Sequence, residues 1–208
     1  MNNSTTKKTG MVSLIGKTNV GKSTLLNQLV EQKVSITSRK PQTTRQRLLG
    51  IKTEGSNQII YVDTPGFHQG HKRALNKFMN KTALSSIEGV DIILFVVDAL
   101  NFSQTDEHLL SQVSTKDNQV MLVINKIDKV AKKEKLIPFV EEITKLFPFL
   151  EVIPISALKR KNIDILEKEI TKRLPVGAHL YPEDQIADSS ERFLASEIIR
   201  EKCISRVG

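Results

Sequence analysis

The sequence predicts an α/β fold of three layers, a mostly parallel six-stranded sheet with helices on both faces. Two observations carry that expectation. Short, near-continuously apolar runs alternate with segments of helical periodicity along most of the chain, the pattern of strands buried on both faces. A glycine-rich stretch, "GKTNVGKS" from Gly16 to Ser23, lies between the first apolar run and the first helical segment, where a phosphate-binding loop requires a strand before it and a helix after it.

The elements follow in order. "MVSLIG" at 11–16 reads as the first strand, and "KSTLLNQLVEQ", with Leu25, Leu26 and Leu29 at helical spacing, as the first helix. Residues 33–46 contain Pro41 and lack periodicity, so they read as an exposed, mobile loop. "LLGIKTEGSNQIIYVD" reads as two strands joined by a glycine-containing turn at 54–57, the only adjacent antiparallel pair. A helix within 73–87, a strand at 91–99, a helix near 103–115 and a strand at 119–125 come next. A helix around 132–147, a strand at 151–156 and a helix over 162–173 complete the alternation. Residues 174–188 carry two prolines and a glycine without periodicity and read as a linker. "SSERFLASEIIREK" then gives an amphipathic helix with a serine cap and Phe193, Leu194, Ile198 and Ile199 on one face.

With 208 residues the chain can bury one substantial core and a small appendage. No apolar run approaches the roughly 20 residues that span a bilayer, and the amino-terminal "MNNSTTKKTG" lacks the apolar core of a signal peptide. A single cysteine, Cys203, permits no internal disulfide framework, fits a reducing cytoplasm and reads as a spectator thiol. The net charge of +8 favours polyanionic partners, although a basic balance equally suits a solvated surface. The scattered His68, His71, His108 and His179 read as surface residues rather than bases.

Three further stretches bear on chemistry. In the glycine loop, successive backbone N–H groups and the following helix amino terminus face an anion, Lys22 reaches terminal phosphates and Ser23 ligates Mg²⁺. "DTPG" puts Asp63 at a strand end, where a carboxylate holds Mg²⁺ through water, with the Gly66 N–H near the terminal phosphate. "NKID", Asn125 to Asp128, selects the base: guanine offers N1 and N2 donors that Asp128 accepts together, and adenine has no such pair. Lys126 would lie over the base, Asn125 would tie this loop to the phosphate loop, and "ISA" at 155–157 would offer the Ala157 N–H to the guanine oxygen.

Beyond these motifs, "SRKPQTTR", "EGSNQIIYVDTPGFH", "KRALNKFMNK" and "PEDQIADSSERFLASEIIREK" make the chain resemble the Era family of ribosome-associated, Ras-like P-loop GTPases from about residue 9 to 202. The resemblance implies a flexible amino terminus at 1–9, a G domain at 10–174, a linker at 175–188 and, at 189–208, the first helix of a K-homology (type II) RNA-binding domain. It implies GTP and GDP with Mg²⁺ as ligands, small-subunit ribosomal RNA and the 30S subunit as partners, and a cytoplasmic setting with peripheral association at the inner membrane. The implied GTP site is Gly16, Lys17, Thr18, Asn19, Val20, Gly21, Lys22 and Ser23, then Asp63, Thr64, Pro65, Gly66 and Phe67, then Asn125, Lys126, Ile127 and Asp128 with Ser156 and Ala157. The catalytic set is Lys22, Thr44 and Gly66, and the Mg²⁺ set is Ser23, Thr44 and Asp63. Thr44 lies in a first switch at Gln42 to Gln46, with Thr43 as the alternative, inside a basic loop of Lys33, Arg39, Lys40, Arg45 and Arg47.

The chain departs from the family pattern in two respects, at Thr18 and after the first K-homology helix, and from many other Ras-like enzymes at Phe67. Thr18 stands where proline is usual, while Asn19 remains, the residue with which related GTPases seat a potassium ion against the phosphates. Phe67 stands where many Ras-like enzymes carry a water-orienting glutamine, which predicts slow intrinsic hydrolysis. After the first K-homology helix, "CISRVG" no longer resembles the family and no G-X-X-G loop follows, so truncation is expected to leave Ile198 and Ile199 without a core. Alternatives are a GTP-gated RNA or ribosome switch with incidental hydrolysis, and an isolated G domain that has lost RNA binding.

Overall fold

The computed structural model describes residues 6–37, 47–67, 74–113 and 119–207. Six strands, β1 (Lys8–Ile15), β2 (Leu48–Glu54), β3 (Asn57–Asp63), β4 (Ile92–Asp98), β5 (Gln119–Asn125) and β6 (Glu151–Pro154), form one sheet in the order β2-β3-β1-β4-β5-β6. Only β2 and β3 are antiparallel; the other neighbours run parallel, with Val12 opposite Tyr61, Leu14 opposite Leu94, and Leu94 opposite Met121. The helices are α1 (Lys22–Val30), α2 (Ala74–Ser85), α3 (Gln104–Val113), α4 (Leu136–Thr144), α5 (Ile163–Arg173) and α6 (Glu191–Val207).

Strand alternation explains why the central strands read as continuous apolar runs. Ile92, Leu94 and Val96 of β4 join Leu25, Leu26 and Leu29 of α1 and Leu166 and Ile170 of α5 in one core. Ile93, Phe95 and Val97 of the same strand join Leu109 and Val113 of α3 and Ile143 of α4 in a second core on the other face. Two-sided burial removes any need for polar positions in such a strand.

Three expectations need correction. The helix expected around 132–147 is shorter, with α4 starting at Leu136 after 3₁₀ turns at Ile127–Lys129 and Lys133–Lys135. Pro138 supplies the reason: it has no N–H to donate to the carbonyl four residues back, so it is tolerated in a first turn but ends the helix on its amino-terminal side. The flexible amino terminus at 1–9 already includes the start of β1 at Lys8; residues 1–5 lie outside the described residues.

The segment 175–188, read as a linker, is strapped along the sheet. Thr9 N–H donates to Pro175 O (3.1 Å), Gly177 N–H to Lys7 O (3.0 Å) and Ile51 N–H to Ile186 O (2.9 Å). The fully buried Gln58 accepts from Leu180 N–H (2.7 Å) and Tyr181 N–H (3.0 Å) and donates to Tyr181 O (2.9 Å). β2 would otherwise present an unpaired edge, and Ile186–Ala187 covers part of it. Helix α6 follows, with Phe193 N–H donating to the Ser190 hydroxyl (3.3 Å) as a cap.

Candidate functional site

The loops that follow β1, β3, β5 and β6 all leave the sheet at its carboxyl-terminal end, the usual ligand side of a parallel sheet. In the first of them the chain must pass close to neighbouring backbone. A Cβ at Gly16 would stand 2.3 Å from Val96 O, and Gly21, at φ +101°, leaves no room for one because Asn125 Nδ2 would be 2.3 Å away. Asn19 also adopts a left-handed conformation, φ 63°, so the loop curls around its own centre before α1 begins at Lys22.

Lys22 is buried, and its ammonium donates to Gly16 O (2.9 Å) and Lys17 O (2.7 Å). An ammonium has three donors, so one remains for an incoming anion. Burial lowers its pKa to about 8, partly offset by the charge of Asp63. Asp63, fully buried at the end of β3, accepts from the Ser23 hydroxyl (2.9 Å) and from the Ser35 hydroxyl (3.0 Å). Asn27 of α1 holds Ser35 in place: its Oδ1 accepts from Val34 N–H (3.0 Å) and Ser35 N–H (2.9 Å), and its Nδ2 donates to Ser35 O (2.7 Å).

Ser35 and Asn27 escaped sequence reasoning. A serine in an aperiodic loop and an asparagine on a helix carry no local signal, and only the fold brings both to Asp63. Thr44, Thr43 and the remainder of the first switch at Gln42 to Gln46 lie outside the described residues, as do Arg39, Lys40, Arg45, His68 and His71.

The "DTPGF" segment is clipped to the glycine loop. Phe67 N–H donates to Gly16 O (3.1 Å) and Thr18 N–H donates to Phe67 O (3.3 Å). A Cβ on Gly66 would come 2.6 Å from Thr18 Cα, so this residue must be glycine for the two loops to touch. The bond from Thr18 bears on its departure from the family pattern, because a proline there has no N–H to give. Thr64 is fully buried with its hydroxyl donating to Leu14 O (2.8 Å), which ties it to β1. Pro65 lies between them in the same buried stretch. The Phe67 ring is buried in the second core, 5.9 Å from the His108 ring.

Lys17 contributes its carbonyl to Lys22, while its own ammonium pairs with the buried Asp106 (2.6 Å) and donates to the Ser103 hydroxyl (3.0 Å). Ser103 and Asp106 form the capping pair of α3, with Ser103 N–H donating to Asp106 (2.9 Å). The first helix turn of α3 is thereby fastened to the glycine loop. An open cavity of about 330 Å³ beside the loop is lined by Thr18, Asn19, Val20, Phe67, Asp98 and Lys126 among others.

At the other end, Asn125 is buried and makes three bonds. Its Nδ2 donates to Val20 O (2.8 Å), and its Oδ1 accepts from Lys126 N–H (2.8 Å) and Ala157 N–H (3.0 Å). Lys126, in a left-handed conformation at φ 66°, extends its ammonium to Asp98 (2.6 Å) and Asn19 O. Ile127 N–H donates to Ile155 O (3.2 Å), and the exposed Asp128 accepts from the buried Ser156 hydroxyl. The expected tie between Asn125 and the glycine loop is thus present. The Ala157 N–H, expected to face a base oxygen, is here engaged by Asn125.

Residues 11–126 match the family described as 50S ribosome-binding GTPase. The chain is 51% identical over 199 residues to GTPase Era of Marinobacter nauticus, covering 96% of this chain and 65% of that protein. The crystal structure of Era in complex with MgGDPNP and nucleotides 1506–1542 of 16S ribosomal RNA superposes with a TM-score of 0.90 at 46% identity, covering 95% of this chain and 67% of that one. An Aquifex aeolicus Era variant bound to GDP·AlF₄⁻ gives 0.89 at 45% identity, over 94% and 67% of the two chains. The chain therefore spans about two thirds of the length of these relatives. Fold, loop order and identity agree: this chain belongs to the Era family of GTPases.

Proposed function

We propose that this chain is a Mg²⁺-dependent GTP hydrolase of slow intrinsic rate, acting in the cytoplasm on the small ribosomal subunit through its ribosomal RNA. One observation carries the nucleotide reading: Asn125 joins the glycine loop at Val20 to the base loop at Ala157, so a buried lysine and an exposed carboxylate, Asp128, share one rigid frame. Lys22 would bind the terminal phosphates with its remaining donor, and the amino terminus of α1 would face them. Asp128 would accept both guanine N–H donors, a match that adenine cannot make.

The donor set fits Mg²⁺. Two hydroxyls, Ser23 and Ser35, meet the Asp63 carboxylate, and hard oxygens with phosphate are the ligands this ion prefers. No cluster of three His, Cys, Asp or Glu side chains exists among the described residues, so these residues form no cage of their own for a metal. Ser23 would hold the ion directly, Asp63 through water, with Thr44 of the first switch as a further ligand. Bound there, Mg²⁺ would neutralise charge on the transferring phosphoryl group.

The Gly66 N–H would meet the terminal phosphate, and Phe67 has no group to orient water, which supports a slow rate. Asn19 supports a further reading, a potassium ion against the phosphates that assists the reaction. The rRNA-bound relative supports small-subunit RNA as partner. We read residues 10–174 as the G domain and 189–208 as the first helix of a K-homology domain.

Equilibrium titration of GTP and ATP into wild type and Asp128→Ala, followed by single-turnover hydrolysis in KCl and in NaCl, tests these assignments. GTP should bind far more tightly than ATP, and Asp128→Ala should erase the difference. Faster turnover in KCl supports the potassium reading, and equal rates remove it. ATP binding as tight as GTP binding to wild type would overturn the guanine assignment.

A further inference from the structure

We infer that the rim of the sheet beside the base loop is a phosphate-backbone contact for double-stranded RNA, made by the nucleotide-binding domain itself. This rests on the reading of ribosomal RNA as the partner and assigns that partner a surface. Six lysines, Lys129, Lys132, Lys133, Lys135, Lys159 and Lys161, are exposed on the two loops that follow β5 and β6. These strands are parallel neighbours, so both loops leave the same end of the sheet side by side. Among the described residues none of the six enters an ion pair, whereas Arg160 between them is taken by Glu31. The nearby acids are Asp128, already bonded to Ser156, Glu134, Glu141 and Glu142 on α4, Asp164 in the first turn of α5, and Glu31, engaged by Arg160; none of them pairs with the six lysines among the described residues.

The two loops form one pre-organised unit. Ile127 N–H donates to Ile155 O (3.2 Å), and the Ser156 hydroxyl that meets Asp128 also accepts from Lys159 N–H (3.2 Å). Ser156 and Lys161 exchange both backbone bonds (3.1 and 3.0 Å) across a turn in which Arg160 is left-handed, φ 52°. Backbone ordered in advance leaves only lysine stems to settle on binding, which lowers its entropic cost.

Chemistry selects the occupant. Uncompensated lysines at a polyanion gain by releasing condensed counterions. The segments 126–135 and 156–161 contain no Phe, Tyr, Trp or His, so they offer no platform on which an unpaired base could stack. Backbone contact with a duplex needs none. A lipid surface asks for a continuous apolar face to insert, and the large apolar side chain these loops expose is the single Leu158.

Fluorescence anisotropy of a labelled hairpin RNA, titrated with the full chain loaded with GDP and Mg²⁺ from about 50 to 300 mM KCl, tests the surface. The variant carries Lys132→Gln, Lys133→Gln, Lys159→Gln and Lys161→Gln, and unchanged GDP affinity certifies its fold. Its RNA affinity should fall at least about tenfold at the lowest salt, and the slope of log K against log salt should become shallower by about 2 to 4. Arginine at the same four positions should restore binding, and a duplex of unrelated sequence should bind equally well. Wild-type RNA binding that the glutamine variant retains in full, with the same slope, would overturn the surface and leave the ribosomal RNA reading standing. Failure of wild type to bind any RNA, including 16S-derived hairpins, would overturn both. Loss in the variant of binding to phosphatidylglycerol vesicles alone, with RNA binding intact, would reassign the surface to lipid.

Discussion

Lys22 combines two opposing demands in one side chain. In the proposed nucleotide reading its ammonium is charged to hold phosphate, yet burial pulls its pKa down to about 8 against the pull of Asp63. The folded value lies below the unfolded one, so between about pH 8 and 10.4 the unfolded chain binds more protons and this group's contribution to stability rises with pH. Phosphate affinity should move the other way. GDP affinity measured from pH 7 to 9.5 should fall as the lysine deprotonates, and Lys22→Met, already weak, should lack that component. Lys22→Ala should abolish hydrolysis. Phe67 is expected to matter through packing: Phe67→Leu should hydrolyse within a few-fold of wild type, whereas Phe67→Ala should also lose about 3–5 kcal/mol of stability by urea denaturation. A large catalytic loss in a stable Phe67→Leu would mean that the ring orders the reacting groups.

At the scale of elements, the central strands and the glycine loop were legible because each depends on local pattern: two-faced burial in β4 and β5, and glycines where the loop comes against the Val96 carbonyl at Gly16 and the Asn125 side chain at Gly21. The strap at 175–188 was illegible for the converse reason. Its bonds are made mainly by backbone groups, which leave no periodicity in the side chains. Gln58 is its hub, fully buried with three bonds to Leu180 and Tyr181 and a fourth to the Thr53 hydroxyl (3.0 Å). Removing that side chain strands three backbone groups, each costing about 1–3 kcal/mol if it stays dry. Gln58→Ala should therefore lower stability by about 2–4 kcal/mol, with faster amide exchange at Leu180 and Tyr181. Unchanged exchange there would show that the strap is held by its other contacts at Thr9 and Ile51.

Across the whole molecule, the strap delivers α6 to the segment from Lys33 to Thr37. Glu201 accepts from Thr37 N–H (3.1 Å) and the Thr37 hydroxyl (2.9 Å) and pairs with Lys33. More than 160 positions separate these residues in sequence, which is why no reading of the chain anticipated the contact, although α6 itself was legible from its apolar face. Asn27 and Asp63 grip Val34 and Ser35 from one end, so the stretch from Lys33 to Thr37 is clamped between the buried Asp63 carboxylate and α6. Burial alone would raise the Glu201 pKa, but Lys33 and Thr37 outweigh it and hold the carboxyl below its usual value. The clamp is accordingly complete at neutral pH and is lost as pH falls below the ordinary carboxylate range. Because hydrogen bonds to a charged group contribute about 1.5–3 kcal/mol, Glu201→Ala should speed exchange of the Thr37 amide by about ten- to a hundredfold at neutral pH, with Glu201→Gln intermediate. The difference between wild type and Glu201→Ala should shrink as the carboxylate protonates. Equal exchange in all three proteins at neutral pH would mean that Asn27 and Asp63 alone fix the segment, and that α6 only rests on it.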